Sequence, residues 1–191
     1  STKQPIMPGQ TIGIIGGGQL GQMMAISALY MGYKVIVLDP DLNCPASLVA
    51  QLIVANYDDE KAISDLANHC DVLTYEFENV SADVLMPYQH KIPQGLELLR
   101  IAQNRQFEKE FLTGIDIKVA PYKLIKNASD LSKIDLTKTH VLKTVTGGYD
   151  GHGQVMIKTA ADLAAAEKLV LQQPCVCEEF VDYLKEISVI V

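Results

Sequence analysis

Short β-branched apolar runs alternate along the first ninety residues with segments whose apolar positions recur every three to four residues. Thr11 to Gly16 (TIGIIG) is such a run and ends in glycines. Gln19 to Met31 follows, with Leu20, Met23, Met24, Ser27, Ala28 and Met31 at helical spacing. Gly32 marks the helix stop. Lys34 to Asp39 (KVIVLD), closed by Pro40, and Leu52 to Tyr57 (LIVANY) predict the second and third strands. A polar start at Asp58 opens a helix through Asn68, and Asp71 to Phe77 (DVLTYEF) predicts a fourth strand. Strands joined in this order by short helices predict a parallel sheet covered on both faces.

The pattern changes after Pro93. Gly95 to Thr113 is mostly helical and charged, reads as a connector rather than part of a sheet, and stops at Gly114. Pro121 to Lys126 (PYKLIK) opens a second region, in which Val141 to Val145 is a strand, Thr146 to Gln154 a glycine-rich loop and Val155 to Lys158 the returning strand. Thr159 caps the next helix with Asp162 three residues on, a capping-box variant. Cys175 to Val181 and Glu186 to Val191 predict the last two strands. The fold class is therefore α/β: a Rossmann-like parallel sheet over 1–95, a helical connector over 96–120, a small α+β unit over 121–181, and the start of a further unit over 182–191. The EISVIV strand that ends at Val191 carries the expectation that this is the front portion of a longer protein.

Composition narrows the class. With 191 residues, 48% apolar and 20% charged, the chain can bury a core without disulfides or metal. Sixteen basic against 23 acidic residues give a net charge of −7 and a pI near 5.0, which disfavours nucleic acid as a partner. No apolar run approaches the roughly 20 residues of a membrane helix, and the first residues lack the basic-then-apolar build of a signal peptide. The expectation is a cytoplasmic protein with no membrane partner. Cys44, Cys70, Cys175 and Cys177 form no C-x-x-C pair, and His69 is directly adjacent to Cys70, so no metal site is expected. Buried, inert thiols are the expectation for all four, with Cys175 and Cys177 on one face of a strand.

Two motifs carry chemistry. Gly16-Gly17-Gly18-Gln19-Leu20-Gly21 is a G-x-G-x-x-G between a strand and a helix, where backbone N–H groups approach an anion at the positive end of the helix dipole. Asp39, at the end of the second strand, stands where a dinucleotide fold holds its ribose-binding acid. The same glycines equally permit tight strand-to-helix packing, and the motif alone decides neither way. The second motif is Lys143 on a strand, followed by Gly147-Gly148-Tyr149-Asp150-Gly151-His152-Gly153-Gln154 and another strand. A P-loop has its lysine after the glycines and a helix at once, so this order suits instead a glycine-rich flap over a triphosphate, with a strand lysine neutralising charge from below. A flexible hairpin with a solvated edge lysine is the plain alternative.

Taken together, IIGGGQLG, YEFENV at 75–80, TGGYDGHGQ at 146–154 and EEFVDYLKEISVIV at 178–191 resemble the biotin-independent ATP-grasp ligases of purine biosynthesis, nearest to the 5-(carboxyamino)imidazole ribonucleotide synthases. The resemblance runs through the chain in order and covers the N-terminal half of such an enzyme. It implies a pre-ATP-grasp domain over 1–95, a lid subdomain over 121–181 and the start of the large ATP-grasp subdomain at 182–191. The implied reaction carboxylates 5-aminoimidazole ribonucleotide with bicarbonate and ATP, releasing ADP and phosphate. A homodimer is implied, as is Mg2+ held by carboxylates beyond Val191.

The resemblance also assigns residues. Arg105 and Lys143 meet the ATP phosphates; Gly148, Tyr149, Asp150, Gly151, His152, Gly153 and Gln154 form the flap, with Tyr149 and Asp150 the catalytic candidates facing the ribonucleotide. His152 stands where Arg or Lys is usual, which puts a charged role there in doubt above pH of about 6.5. Glu178, Glu179, Phe180 and Val181 read the adenine edge, Glu179 through its backbone only with its side chain exposed. Glu186 accepts from the ribose hydroxyls. Gln19, Leu20 and Glu76 hold the ribonucleotide, which leaves Asp39 structural. Competing readings are the formate-dependent glycinamide ribonucleotide ligase, an NAD-dependent oxidoreductase resting on Gly16, Gly18, Gly21 and Asp39, and a nucleotide-sensing module without catalysis.

Overall fold

The computed structural model describes residues 5–147 and 153–189. The chain divides into two units, Ser1–Arg100 and Ile101–Val191. In the first, β1 (Thr11–Ile15), β2 (Lys34–Asp39), β3 (Gln51–Val54) and β4 (Val72–Tyr75) form a parallel sheet in the order β3-β2-β1-β4. Strand alternation sends Ile14, Val35 and Val37 to one face, against Ala25 and Ala28 of α1 (Gln19–Tyr30). Ile15, Ile36 and Leu38 go to the other, against Ile63 and Leu66 of α2 (Glu60–His69). Both faces are thus covered, as near-continuous apolar strands require.

Short elements complete this unit. The Asp59 carboxylate caps α2 by accepting from the Ala62 N–H at 2.9 Å. α3 (Ala82–Leu85), a 3-10 turn over Met86–Lys91 and α4 (Glu97–Ala102) bring Leu85, Ile92, Leu96 and Leu99 into the core beside α2. The apolar pattern predicts no element over 82–91, because a four-residue helix running into Pro87 shows no periodicity. The third strand ends at Val54 rather than Tyr57. The chain leaves the sheet at Ala55, whose N–H donates to the Asp39 carbonyl at 3.2 Å, and Tyr57 turns back toward the Asp39 side chain.

The second unit holds β5 (Tyr122–Ile125), β6 (His140–Thr144), β7 (Gln154–Ile157) and β8 (Cys175–Glu179), antiparallel in the order β5-β8-β6-β7. The fold class is therefore mixed α/β, one parallel and one antiparallel sheet. On one face Leu142, Ile157, Cys175 and Cys177 pack against Ala166 and Val170 of α6 (Leu163–Val170). All four cysteines are free and buried, and Cys175 and Cys177 share that face as strand alternation requires. At the predicted cap, the Asp162 carboxylate accepts from the Lys158 and Thr159 N–H groups, each at 2.9 Å.

Two expectations change. The charged segment read as a connector contains α5 (Arg105–Gly114), capped by Asn104, and it is bonded to this sheet: Asn104 bridges Thr146, and the Arg105 N–H donates to the Val145 carbonyl at 2.9 Å. The strand expected from Glu186 is not formed over 186–189, where the residues are irregular and exposed. An apolar-alternating run becomes a strand only where a neighbour takes its backbone bonds, and the described residues supply none here. Among the described residues no helix is long and apolar enough to cross a membrane.

The end of α2 gives a test of the first unit. The Lys91 ammonium donates to the Ala67 and Cys70 carbonyls at 2.6 and 2.8 Å, satisfying the C-terminal acceptors of that helix. Lys91→Met is expected to lower the unfolding free energy by about 1–3 kcal/mol, measured by denaturant titration.

Candidate functional site

Each unit carries a group of functional side chains. In the first, β1 is followed by Gly16 to Gly18 and α1 begins at Gln19, with Gly18 as N-cap. No side chain caps this helix and its first turn holds no acid, so the carboxylate that approaches its positive dipole end is that of Glu76, beside exposed Gln19 and Leu20. The loop is held shut from below. A Cβ built at Gly21 would lie 2.1 Å from the Gly16 carbonyl oxygen, and one at Gly17 would lie 2.5 Å from Cys44 Sγ. Both approaches exist only because glycine has no side chain.

Asp39 is the brace of this loop. Only 6% exposed, it accepts from the Gly17 N–H and the Tyr57 hydroxyl at 2.7 Å each through Oδ2, and from the Asp41 N–H at 2.8 Å through Oδ1. Burial, followed by the bond to Asp39, pushes the Tyr57 hydroxyl well above its ordinary pKa and keeps it a donor. Tyr57 also meets Phe77 edge-to-face, with ring centroids 4.7 Å apart. Glu76 lies over the glycines: a Cβ at Gly16 would be 2.5 Å from its Cγ. Burial, and then the charge of Asp39, raise the Glu76 carboxyl above its usual range.

In the second unit the face of the sheet opposite α6 carries the charge. Glu178 on β8 is 13% exposed and pairs with two lysines: Lys143 of β6 reaches Oε2 at 2.8 Å and Lys109 of α5 reaches Oε1 at 2.9 Å. Burial works to raise the Glu178 carboxyl, but the hydrogen bonds from Lys143 and Lys109 outweigh it and hold the group below its ordinary value. The Lys109 ammonium stands 5.3 Å from the centroid of the Tyr122 ring, and Tyr122 is the β5 residue in register with Glu178. One turn before Lys109, the Arg105 guanidinium donates to the Thr144 and Gly147 carbonyls at 2.8 and 2.6 Å, gripping the chain where β6 enters the glycine loop.

Gly148, Tyr149, Asp150, Gly151 and His152 lie outside the described residues, so the flap and both catalytic candidates do too. The strands that carry the loop are described, and Gln154 stands opposite Lys143 where the hairpin returns, after Gly153. The Glu179 side chain, expected to be exposed, is 35% exposed and forms a two-oxygen ion pair with Lys138 at 2.9 and 3.0 Å. The N–H groups of Glu179 and Phe180 donate to the Pro121 and Thr139 carbonyls, while Phe180 and Val181 remain half-exposed just past β8. Glu186 is exposed on the irregular stretch, away from any strand. Lys109 and Tyr57 were not singled out by sequence reasoning. The spacing of Lys109, four residues after Arg105 on one helix face, is the signal that marks it. Among the described residues no group of three or more His, Cys, Asp or Glu could hold a metal ion, so none is assigned to Mg2+.

Comparison with known proteins covers both units. The ribonucleotide synthetase preATP-grasp domain model matches residues 9–103 and the ATP-grasp domain model matches residues 110–191. An N5-carboxyaminoimidazole ribonucleotide synthase of Staphylococcus aureus is 48% identical over 188 residues, 96% of this chain and 50% of the relative. The crystal structure of the Staphylococcus aureus N5-carboxyaminoimidazole synthetase complexed with ADP superposes with a TM-score of 0.86 at 48% identity, over 93% of this chain and 49% of that one. The Aspergillus clavatus synthase in complex with ADP and 5-aminoimidazole ribonucleotide superposes with a TM-score of 0.80 at 26% identity, over 94% of this chain and 48% of its own. The chain thus spans about half the length of the relatives it matches.

The close approach at Gly21 can be tested directly. Gly21→Ala is expected to force α1 away from the Gly16 carbonyl, to destabilise the first unit by about 1–3 kcal/mol, and to disturb the Gly16 and Gly17 amide resonances in NMR spectra.

Proposed function

The chain belongs to the ATP-grasp ribonucleotide synthetases, and from that membership we propose that in its full-length form it carboxylates 5-aminoimidazole ribonucleotide with bicarbonate at the expense of ATP. The product is the N5-carboxyamino ribonucleotide, with ADP and phosphate released. The observation that carries the reading is the grouping of Arg105, Lys143 and Glu178 around the strand that enters the glycine loop, in a chain 48% identical to synthases of this name.

In this reading ATP belongs to the second unit. Lys143 leaves Glu178 for the phosphates, which its compact ammonium neutralises. Arg105 holds the root of the flap and turns the rest of its guanidinium to the same phosphates, while Gly148 to Gln154 close over them. The Glu178 carboxylate accepts from the adenine amino group, with the chain through Val181 as the remaining adenine edge. Glu186 accepts from the ribose hydroxyls. The ribonucleotide belongs to the first unit, on the N-terminus of α1 with Gln19 and Leu20 beside it and Glu76 accepting from its polar hydrogens. Asp39, committed on both oxygens, keeps the glycine loop in shape and contacts no ligand.

The chemistry needs little from side chains beyond position and charge. A bicarbonate oxygen attacks the terminal phosphorus, the bond to ADP breaks, and a mixed anhydride of carbonate and phosphate forms. The exocyclic amine then takes up the carboxyl carbon, the carbon–oxygen bond to phosphate breaks, and a proton leaves nitrogen. Tyr149 and Asp150 are assigned to that second step. Water must be excluded meanwhile, which is the work of the flap. Magnesium, which supplies charge neutralisation on the phosphates, is assigned no ligand among the described residues. The homodimer rests on the family resemblance, and the cytoplasmic location on the expectation drawn from the sequence.

Two measurements on the full-length protein test this. ADP release should require bicarbonate and be stimulated by 5-aminoimidazole ribonucleotide; stimulation by formate with glycinamide ribonucleotide would reassign the substrate, and NADH binding in place of ATP would overturn the class. Lys143→Ala should raise the KM for ATP by roughly tenfold or more, the worth of a charge-assisted phosphate contact, and unchanged ATP kinetics would remove the nucleotide from this face.

A further inference from the structure

The Glu178 carboxylate is shared between two lysines that differ in how firmly they are placed. Lys143 is 30% exposed and lies on β6 next to the glycine loop. Lys109 is 12% exposed, comes from α5 and rests over the Tyr122 ring. The helix that delivers it is fixed at its start by Asn104 on Thr146, by the Arg105 N–H on Val145 and by the Arg105 guanidinium on Thr144 and Gly147. Lys143 can therefore swing toward an anion at the loop, whereas Lys109 is anchored.

Resting on the nucleotide reading above, we propose that Lys109 is a positioning residue: it keeps Glu178 ionised and oriented when Lys143 leaves for the ATP phosphates. The geometry requires such a residue. A carboxylate with 13% exposure that lost its only cationic partner would be a buried unpaired charge, among the costliest arrangements a protein can hold. Nucleotide binding would then have to supply that cost, or Glu178 would have to take up a proton. With Lys109 on Oε1, departure of Lys143 frees Oε2 alone, which becomes the acceptor for a ligand donor while the charge stays compensated. Among the described residues no other cation on the packed elements is paired with Glu178. From β5, Tyr122 faces Glu178 but is neutral, and Lys123 donates to the Lys133 carbonyl. From β6, His140 lies on the α6 face at the Lys138 carbonyl, and from α5, Arg105 is engaged with the Thr144 and Gly147 carbonyls. Glu108 and Glu110 of α5 are exposed and of the wrong sign.

The test uses the full-length protein with ATP as the probe. Isothermal titration is run at pH 6, 7 and 8 on the wild type and on Lys109→Met, Lys109→Arg and Lys143→Ala, with folding checked by circular dichroism. Lys109→Met is expected to weaken ATP binding by roughly tenfold at pH 8, and the gap to wild type should narrow toward pH 6, where protonation of Glu178 relieves the unpaired charge. The titration heat of Lys109→Met should also depend on the ionisation enthalpy of the buffer more than the wild type does, reporting proton uptake on binding. Lys109→Arg should restore most of the affinity. Wild-type affinity in Lys109→Met, or a loss of the same size at every pH with no proton uptake, overturns the proposal. Unchanged ATP binding by Lys143→Ala fails the nucleotide reading itself. Weakening by Lys143→Ala alongside wild-type behaviour of Lys109→Met fails only the role given to Lys109.

Discussion

A carboxylate set among β5, β6 and β8 carries a charge that the sheet cannot solvate, and the second unit is arranged around that fact. Glu178 stays ionised because two ammonium groups converge on it from different elements, one from the strand beside it and one from α5. Taking charges out of water is costly, and a pair recovers that cost only with good geometry on both oxygens. Here each oxygen has its own lysine, below 3 Å. The requirement reaches back into local structure: α5 must lie against the sheet for Lys109 to arrive, so Asn104 caps it, and Arg105 spends its donors on the carbonyls at the end of β6. The helix start, the strand end and the loop entry are joined by the groups that also surround Glu178.

The first unit leaves a helix N-terminus without a cap from its own residues. An N-cap side chain or an acid in the first turn would stabilise α1 and also occupy the place of an anion; Gly18 and the residues after it supply neither. The loop needs rigidity from elsewhere, and Asp39 provides it from beneath by taking the Gly17 N–H and the Tyr57 hydroxyl together. This decides between the two readings of an acid at the end of the second strand. A ribose-binding acid turns its oxygens outward, whereas here both are used within the protein and the side chain is buried. Glu76, whose carboxyl is raised by burial and by Asp39, lies over the same glycines.

Features set by local periodicity were legible in the chain. β1 and β2 are β-branched runs closed by glycine or proline, and the shared face of Cys175 and Cys177 follows from alternation alone. The place of Lys143 on the strand that enters the glycine loop was legible from its order relative to the glycines. Features set by tertiary pairing were not. Lys109 sits in RQFEKEFL, where a charged helix ordinarily means a solvated one, and nothing local states that Glu178 lies across from it. Tyr57 looked like the end of a strand because β-propensity does not reveal that the chain leaves the sheet to reach Asp39. The alternation from Glu186 onward finds no pairing strand among the described residues. In each case the missing information was a partner distant in sequence.

The same charges bear on ligand selection. The chain carries a net charge of −7, so its long-range field opposes the approach of a polyanion. Among the described residues, Lys109 and Lys143 both converge on the single carboxylate of Glu178, so the local balance there differs from that of the chain. Such a cluster needs the positive charges held close together without mutual repulsion disrupting the fold. Glu178 makes that possible by lying between two of them, and the arrangement is useful only if one cation can leave while the other remains. The unequal burial of Lys143 and Lys109, 30% and 12% exposed, distinguishes the two cations that share this carboxylate.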